Sequence, residues 1–315
     1  MIEGEDLELF ERSLRHAAGS HTGPALDAAL DELGWQDALS VDAHAAVSRL
    51  FPLQGAANVT SSALDQVLAT ALGRSGSAVV LPAIGRWNAP GTLHGARLDV
   101  RGVGTATLGE RETALIVARA GTSHVAVEVE AASLPQRRIG GVDPSLGLVE
   151  VTGEVVGARE VGPVDWPAAV TVGQLALGHE LVGASRRMLE LAREHAVDRI
   201  QFGRPIAKFQ AVRHRLADTL VAIEAADAVL DAAWLDRAPA TAAMAKATAG
   251  RGARLAARHC QQVLAGIGFT TEHSLHRHIL RALVLGQLLG ATRSLTRALG
   301  SDILEHRELP ALLPL

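Results

Sequence analysis

The chain has 315 residues with a formal net charge of −4; charged residues make up 20% and aromatic ones only 3%. That length allows about two domains, and interspersed Arg and Glu leave no basic footprint for nucleic acid. The acidic start "MIEGEDLELFERSLRHAAG" has no apolar leader core, no uncharged run nears the roughly 18 residues of a membrane span, and the lone Cys260 excludes an internal disulfide.

A cytoplasmic protein is therefore expected. Residues 1–76 are rich in Ala and Leu at helical spacing. In "SALDQVLATAL", Leu64, Val67, Leu68 and Leu72 recur at i, i+3, i+4. From 77 to 160 the pattern changes to short β-branched runs broken by Gly and Pro, among them "AVVLP", "GARLDV", "ALIVA" and "LVEVTGEVV". Val125, Val127 and Val129 alternate with Ala126, Glu128 and Glu130, the signature of a half-buried strand, so this stretch predicts a small antiparallel β domain.

Residues 161–315 return to the 3.6 period in longer segments. One face carries Leu177, Leu181, Ala184, Met188 and Leu191, a second Phe209, Val212, Leu216, Leu220 and Ile223, and another Leu275, Ile279, Leu283 and Gln287. With "AMAKATAGRGARLAARHCQQVLAG" between them, four amphipathic segments predict a four-helix bundle, Cys260 being a small buried apolar residue within it. "FGRP" is the expected break after the first helix, since Gly203 accepts strained dihedrals and Pro205 disfavours helix at Arg204.

Two motifs carry chemistry. "RIQFGRPIAKFQAVRHRLADTL" and "QQVLAGIGFTTEHSLHR" resemble, in order and spacing, two segments of the acyl-CoA dehydrogenase family, R-x-x-F-G-x-x-x-x-x-x-Q-x-x-x-x-x-L-A-[DE] and Q-x-x-G-G-x-G-[FY]-x-x-E. The resemblance implies that family's mainly α fold: N-terminal helices (1–76), an antiparallel β domain (77–160) and a C-terminal four-helix bundle (161–315), the first two reduced. It also implies FAD lying across a subunit boundary. Arg199 would meet the flavin pyrophosphate through a charge-assisted, potentially bidentate contact. Phe209 and Gln210 would meet the adenine and ribose part, and Gln262, Ala265 and Gly266 would let backbone approach the same nucleotide from the other subunit. Ala265 stands where the family motif has its first Gly.

The resemblance also points to what is missing. The family's reaction needs a carboxylate to remove an α-proton while hydride passes to flavin. The commoner position for that base falls near Leu289 and Gly290, and the alternative one near Gly173; none is acidic. The ring-holding T-E-P-x-x-G-S-[DS] and W-x-[IT]-[NS] segments are also missing from "VVLPAIGRWNAPGTLHGARLDV".

The chain therefore reads as a short, non-catalytic subunit of a heteromeric, actinobacterial type of acyl-CoA dehydrogenase. A longer partner subunit, as in an α2β2 assembly, would bring the base and bind an acyl-CoA or steroid-CoA thioester. The composition fits a high-GC source, with Lys208 and Lys246 the only lysines. Two alternatives stay open: a self-sufficient enzyme using Glu272 or Glu180, and a flavin-free scaffold. His273, His276 and His278 lack the ligand set of a metal site, Arg213, His214 and Arg215 read as the polar side of a helix, and Gly102 and Gly104 do not complete a dinucleotide fingerprint.

Overall fold

The structure is a computed structural model that describes residues 5–95, 97–155 and 158–307. Five helices come first: α1 (Glu5–Ser20), α2 (Pro24–Glu32), α3 (Trp35–Val41), α4 (Ala43–Ala57) and α5 (Ala63–Ala71). Leu64, Val67, Leu68 and Leu72 are all buried, as the periodicity requires. Asp42 starts α4 by accepting the Ala45 amide at 3.0 Å, and Asn58 ends it in the left-handed conformation.

The sheet that follows has nine strands: β1 (Ala78–Val79), β2 (Leu81–Pro82), β3 (Gly91–His94), β4 (Arg97–Gly104), β5 (Thr113–Ala120), β6 (Ser123–Glu130), β7 (Gln136–Arg138), β8 (Val149–Val155) and β9 (Arg159–Pro163). It is mixed. Most pairings are antiparallel, but β1 and β3 both run parallel to β5. The tertiary packing of those short strands is not encoded in any local alternation, so sequence pattern alone predicts only the antiparallel hairpins. Val125, Val127 and Val129 are buried and Glu130 is exposed, as alternation requires, but Ala126 on the opposite face is fully buried too, in the core shared with the helices.

The C-terminal region has α6 (Trp166–Asp198), a hairpin of β10 (Ile200–Gln201) and β11 (Arg204–Pro205), α7 (Gln210–Asp236), α8 (Pro239–Leu264), α9 (Leu275–Leu285) and α10 (Thr292–His306). The fourth helical segment of the bundle is thus divided in two by residues 286–291. Leu177, Leu181, Ala184, Met188 and Leu191 are buried as expected, and Cys260 is too. Leu220 and Leu283, however, are exposed. The core-facing stripe of α7 is Thr219, Ile223, Ala226, Leu230 and Trp234, and that of α9 includes His278 and Arg281. Thr219 and Arg281 hold polar partners at these buried positions, His259 and Asp143.

The N-terminal helices and the bundle share one core, in which α4 crosses α6 at two glycines. A Cβ on Gly55 would collide with the Glu180 carbonyl, and one on Gly183 with the Pro52 carbonyl. Backbone therefore meets backbone at this crossing, and alanine fits at neither position. No helix of the described residues is long and apolar enough to cross a membrane.

Candidate functional site

The first motif folds into a compact knuckle. Arg199 ends α6 in an extended conformation, and its carbonyl accepts the Ile206 amide at 2.8 Å. Between them, β10 and β11 pair antiparallel around Phe202 and Gly203, whose φ values are +52° and +75°. A left-handed phenylalanine is sterically costly, yet Phe202 is 91% exposed at the hairpin tip. Its ring stands edge-on to Phe209 at 5.9 Å between centroids, and the Arg204 guanidinium lies 4.5 Å from the Phe209 centroid. Phe209 is half-buried beneath this cover and serves as the residue preceding α7, with Gln210 exposed as its first residue. The exposed Arg199 forms no ion pair among the described residues.

The second motif lies at the same end of the bundle. His259 Nδ1 is 3.1 Å from Thr219 Oγ1 and 3.1 Å from the Arg215 carbonyl, while Gly252 faces the Ala222 carbonyl further along. That antiparallel register places the end of α8 beside the start of α7. There, Gln262, Ala265 and Gly266 are exposed, and Ala265 has φ +52° and ψ −131°, a conformation suited to glycine. Nearby, Ile267 and Phe269 are also exposed. The turn from α6 to α7 that holds Arg199, Phe209 and Gln210 therefore lies at the same end of the bundle as the end of α8 that holds Gln262, Ala265 and Gly266.

Elsewhere, the two positions that the resemblance gives for a catalytic base face each other. A Cβ on Gly173 would stand 2.5 Å from Leu289 Cδ1 and 2.9 Å from Leu68 Cδ2. Leu289 is completely buried, at φ +50°. Gln174 Nε2 donates to the Leu289 carbonyl at 2.9 Å, and Lys246 Nζ donates to the Gly290 carbonyl at 2.7 Å. Burial lowers the Lys246 pKa to about 7. An amide and an ammonium thus fix the backbone at this point, and leucine side chains fill the space between the two helices.

The acids kept open as alternatives are placed differently. Glu180 is seven residues along α6 from Gly173, roughly 10 Å away along the axis. It is buried 3.4 Å from Arg281 Nη1, and burial, only partly offset by that guanidinium, raises its pKa to about 7. Glu272 is exposed before α9. Of the histidines, His278 is buried with Nδ1 unpartnered, whereas His273 and His276 make local bonds at the start of α9.

A cleft of about 850 Å³ opens between the sheet and the bundle next to this loop. Trp87, Arg119, His124, Trp166, Gln174 and Leu295 contribute to its lining, and Trp166 Nε1 donates to the Trp87 carbonyl at 3.0 Å. The carboxylate on its lining is Asp302, paired with His306 at 3.2 Å. Sequence reasoning passed over this cleft. Trp87 lies within the stretch that lacks the family's ring-holding motifs, and the two indoles are 79 residues apart, so no local pattern joins them.

Comparison with known proteins places this geometry in a class. The chain is similar in structure to the Tcur3481-Tcur3483 steroid ACAD, with a TM-score of 0.81 at 22% identity over 96% of this chain and 99% of that one. Its fold is accordingly that of an acyl-CoA dehydrogenase. A family model described as "Acyl-CoA dehydrogenase, C-terminal domain" matches residues 168–304. Acyl-CoA dehydrogenase FadE27 of Mycobacterium tuberculosis is 31% identical over 278 residues, covering 80% of this chain and 71% of FadE27. The chain belongs to the acyl-CoA dehydrogenase family, whose members bind FAD. Acyl-CoA dehydrogenase IpdE2 of the same organism is 40% identical over 139 residues, a match spanning 44% of each protein.

Proposed function

We propose that this chain is the short, non-catalytic subunit of a heteromeric FAD-dependent acyl-CoA dehydrogenase acting on a CoA thioester in lipid or steroid catabolism. The observation that supports this reading is that Leu289 and Leu68 pack against Gly173, at the positions the resemblance gives for a base, with no carboxylate between them. Its role would be assembly and contact with the dinucleotide end of a flavin held by a longer partner subunit. The Tcur3481-Tcur3483 steroid ACAD, which this chain resembles in fold, is named for two components, which supports a two-chain assembly.

The residues on the exposed edge fit half of a nucleotide site. Arg199 would hold the pyrophosphate, Phe209 and Gln210 the adenosine part, and Gln262, Ala265 and Gly266 would let backbone approach it. When bound, FAD supplies the hydride-accepting chemistry. This chain's residues bind and orient its phosphate end, and the apolar Phe202, Ile267 and Phe269 would seal the contact with the partner.

The test is expression of the chain alone and together with the longer dehydrogenase subunit encoded beside it. Flavin and activity only after co-expression support the proposal. A yellow, active protein from this chain alone would sink it in favour of a self-sufficient enzyme, and a colourless complex would leave a scaffold.

A further inference from the structure

The cleft between the sheet and the bundle offers mostly hydrocarbon. Trp87 from the loop before β3, Trp166 and Val170 of α6, Ala243 of α8, and Leu295 and Leu299 of α10 line it. Three of its side-chain donors are committed to this chain's own backbone. Trp166 Nε1 donates to the Trp87 carbonyl at 3.0 Å, Gln174 Nε2 to the Leu289 carbonyl at 2.9 Å, and Thr171 Oγ1 to the Pro167 carbonyl at 2.9 Å. A polar ring would find these donors engaged, whereas apolar side chains need none.

The last helix leads a matching segment to this place. Leu295, Leu299 and Asp302 set one face of α10 along the cleft. The helix stops five residues beyond Asp302, at Arg307, a left-handed residue whose amide donates to the Ile303 carbonyl at 2.8 Å. Such a residue turns the chain off the helix axis. Residues 308–315 lie outside the described residues and read ELPALLPL, so seven of the eight are Leu, Pro or Ala. Pro310 and Pro314 disfavour helix at Leu309 and Leu313 and favour an extended chain. Eight extended residues reach about 26–29 Å, against the roughly 8 Å that separates Arg307 from Asp302 along α10.

We propose that residues 309–315 dock in this cleft as an extended apolar segment, with leucine side chains against Trp87 and Trp166. Proline-bearing extended segments suit aromatic-lined grooves because they lose little conformational freedom on docking. The chain thus fills its own cleft with hydrocarbon. This contact lies within one chain and does not rest on the subunit reading.

Paired cysteines test this in the full chain, purified with its partner subunit where the two are co-expressed. Ala243→Cys on the cleft wall is combined in turn with Leu309→Cys, Leu312→Cys and Leu313→Cys, and each pair is oxidised with diamide. Cys260 does not compete, because it is completely buried and burial pushes its thiol up to about 12. At least one pair should form a disulfide within one chain, read by mass spectrometry of the linked peptides. The same three cysteines combined with Ala217→Cys should not, since Ala217 is exposed on α7 toward the other end of the bundle, roughly 20 Å from Ala243. Deleting residues 308–315 should shift tryptophan emission to longer wavelength and increase its quenching by acrylamide, and Trp87→Phe should remove most of that difference. Disulfide yields no higher than those with Ala217→Cys would leave the cleft to a flavin ring and overturn the proposal. Links formed only between chains would overturn it by assigning the segment to a neighbouring subunit, and so would emission that the deletion leaves unchanged.

Discussion

Gly173 and Leu289, 116 positions apart, are fitted together closely enough that a Cβ on the glycine would stand 2.5 Å from the leucine Cδ1. Both lie at the junction of α6 with the loop before α10. Gly173→Ala should therefore destabilise the protein by about 1–3 kcal/mol through overpacking. Leu289→Ala alone should cost about 2–5 kcal/mol through its cavity. Because each relieves the other, the double variant should lose clearly less than the sum. Urea unfolding of the four proteins checks this, and simple additivity would mean that the contact is not as drawn.

Lys246 gives the same loop a pH dependence. Its folded pKa is about 7 against 10.5 for the unfolded chain, and burial is the cause. Between those values the unfolded chain holds a proton that the native protein does not, so stability rises with pH. The steepest contribution is about 1.4 kcal/mol per pH unit. Lys246→Met removes it while leaving the Gly290 carbonyl without its donor at every pH. From pH 7 to 9 the wild type should gain on this variant; parallel stability curves would contradict the assignment.

What the sequence reveals about this protein depends on how local the cause is. The buried face of α6 follows directly from the spacing of Leu177, Leu181, Ala184, Met188 and Leu191, and the strand over Val125–Val129 from alternation. Leu220 and Leu283 break the expected faces, and Thr219 on α7 and Arg281 on α9 take buried positions with polar partners, which no periodicity reveals. The motifs that hold Arg199, Gln210 and Gln262 are legible because each is contiguous. The cleft lined by Trp87 and Trp166 is not, since only the docking of sheet on bundle creates it. The parallel pairings of β1 and β3 with β5 are hidden for the same reason.

Arg281 ties three parts of the chain together. Its Nε donates to Asp143 Oδ2 at 3.0 Å, and its Nη1 donates to the Val59 carbonyl at 2.8 Å and approaches Glu180 Oε1 at 3.4 Å. Arg281→Met should cost about 3–5 kcal/mol, because it strands buried carboxylates. Glu180→Gln should cost far less, within about 1 kcal/mol, since a carboxyl already raised to about 7 loses little by becoming an amide. Under the proposed function, this variant should also leave the turnover of the assembled dehydrogenase unchanged at constant flavin content. A fall of about 10²–10⁴-fold would instead make Glu180 the base and the chain catalytic.

The nucleotide edge is tested by comparing two arginines of similar exposure and different placement. Arg199 ends α6 beside the aromatic knuckle, and Arg213 lies one turn into α7 on its exposed side. If Arg199 clasps a phosphate that becomes buried when the partner subunit docks, Arg199→Ala removes a charge-assisted contact of about 1.5–3 kcal/mol, equivalent to roughly 10- to 150-fold in affinity. Arg213→Ala should remove about 0–1 kcal/mol, as expected of a solvated charge. Flavin retained by each co-expressed complex through gel filtration, read from the ratio of flavin to protein absorbance, separates the two outcomes. The Arg199 variant should lose most of its flavin, and its remaining affinity should depend less steeply on salt than that of the wild type, because one phosphate contact is gone. Equal occupancy in both variants would show that Arg199 does not touch the phosphate, and the whole edge from Arg199 to Gln210 would then be an assembly surface without a nucleotide.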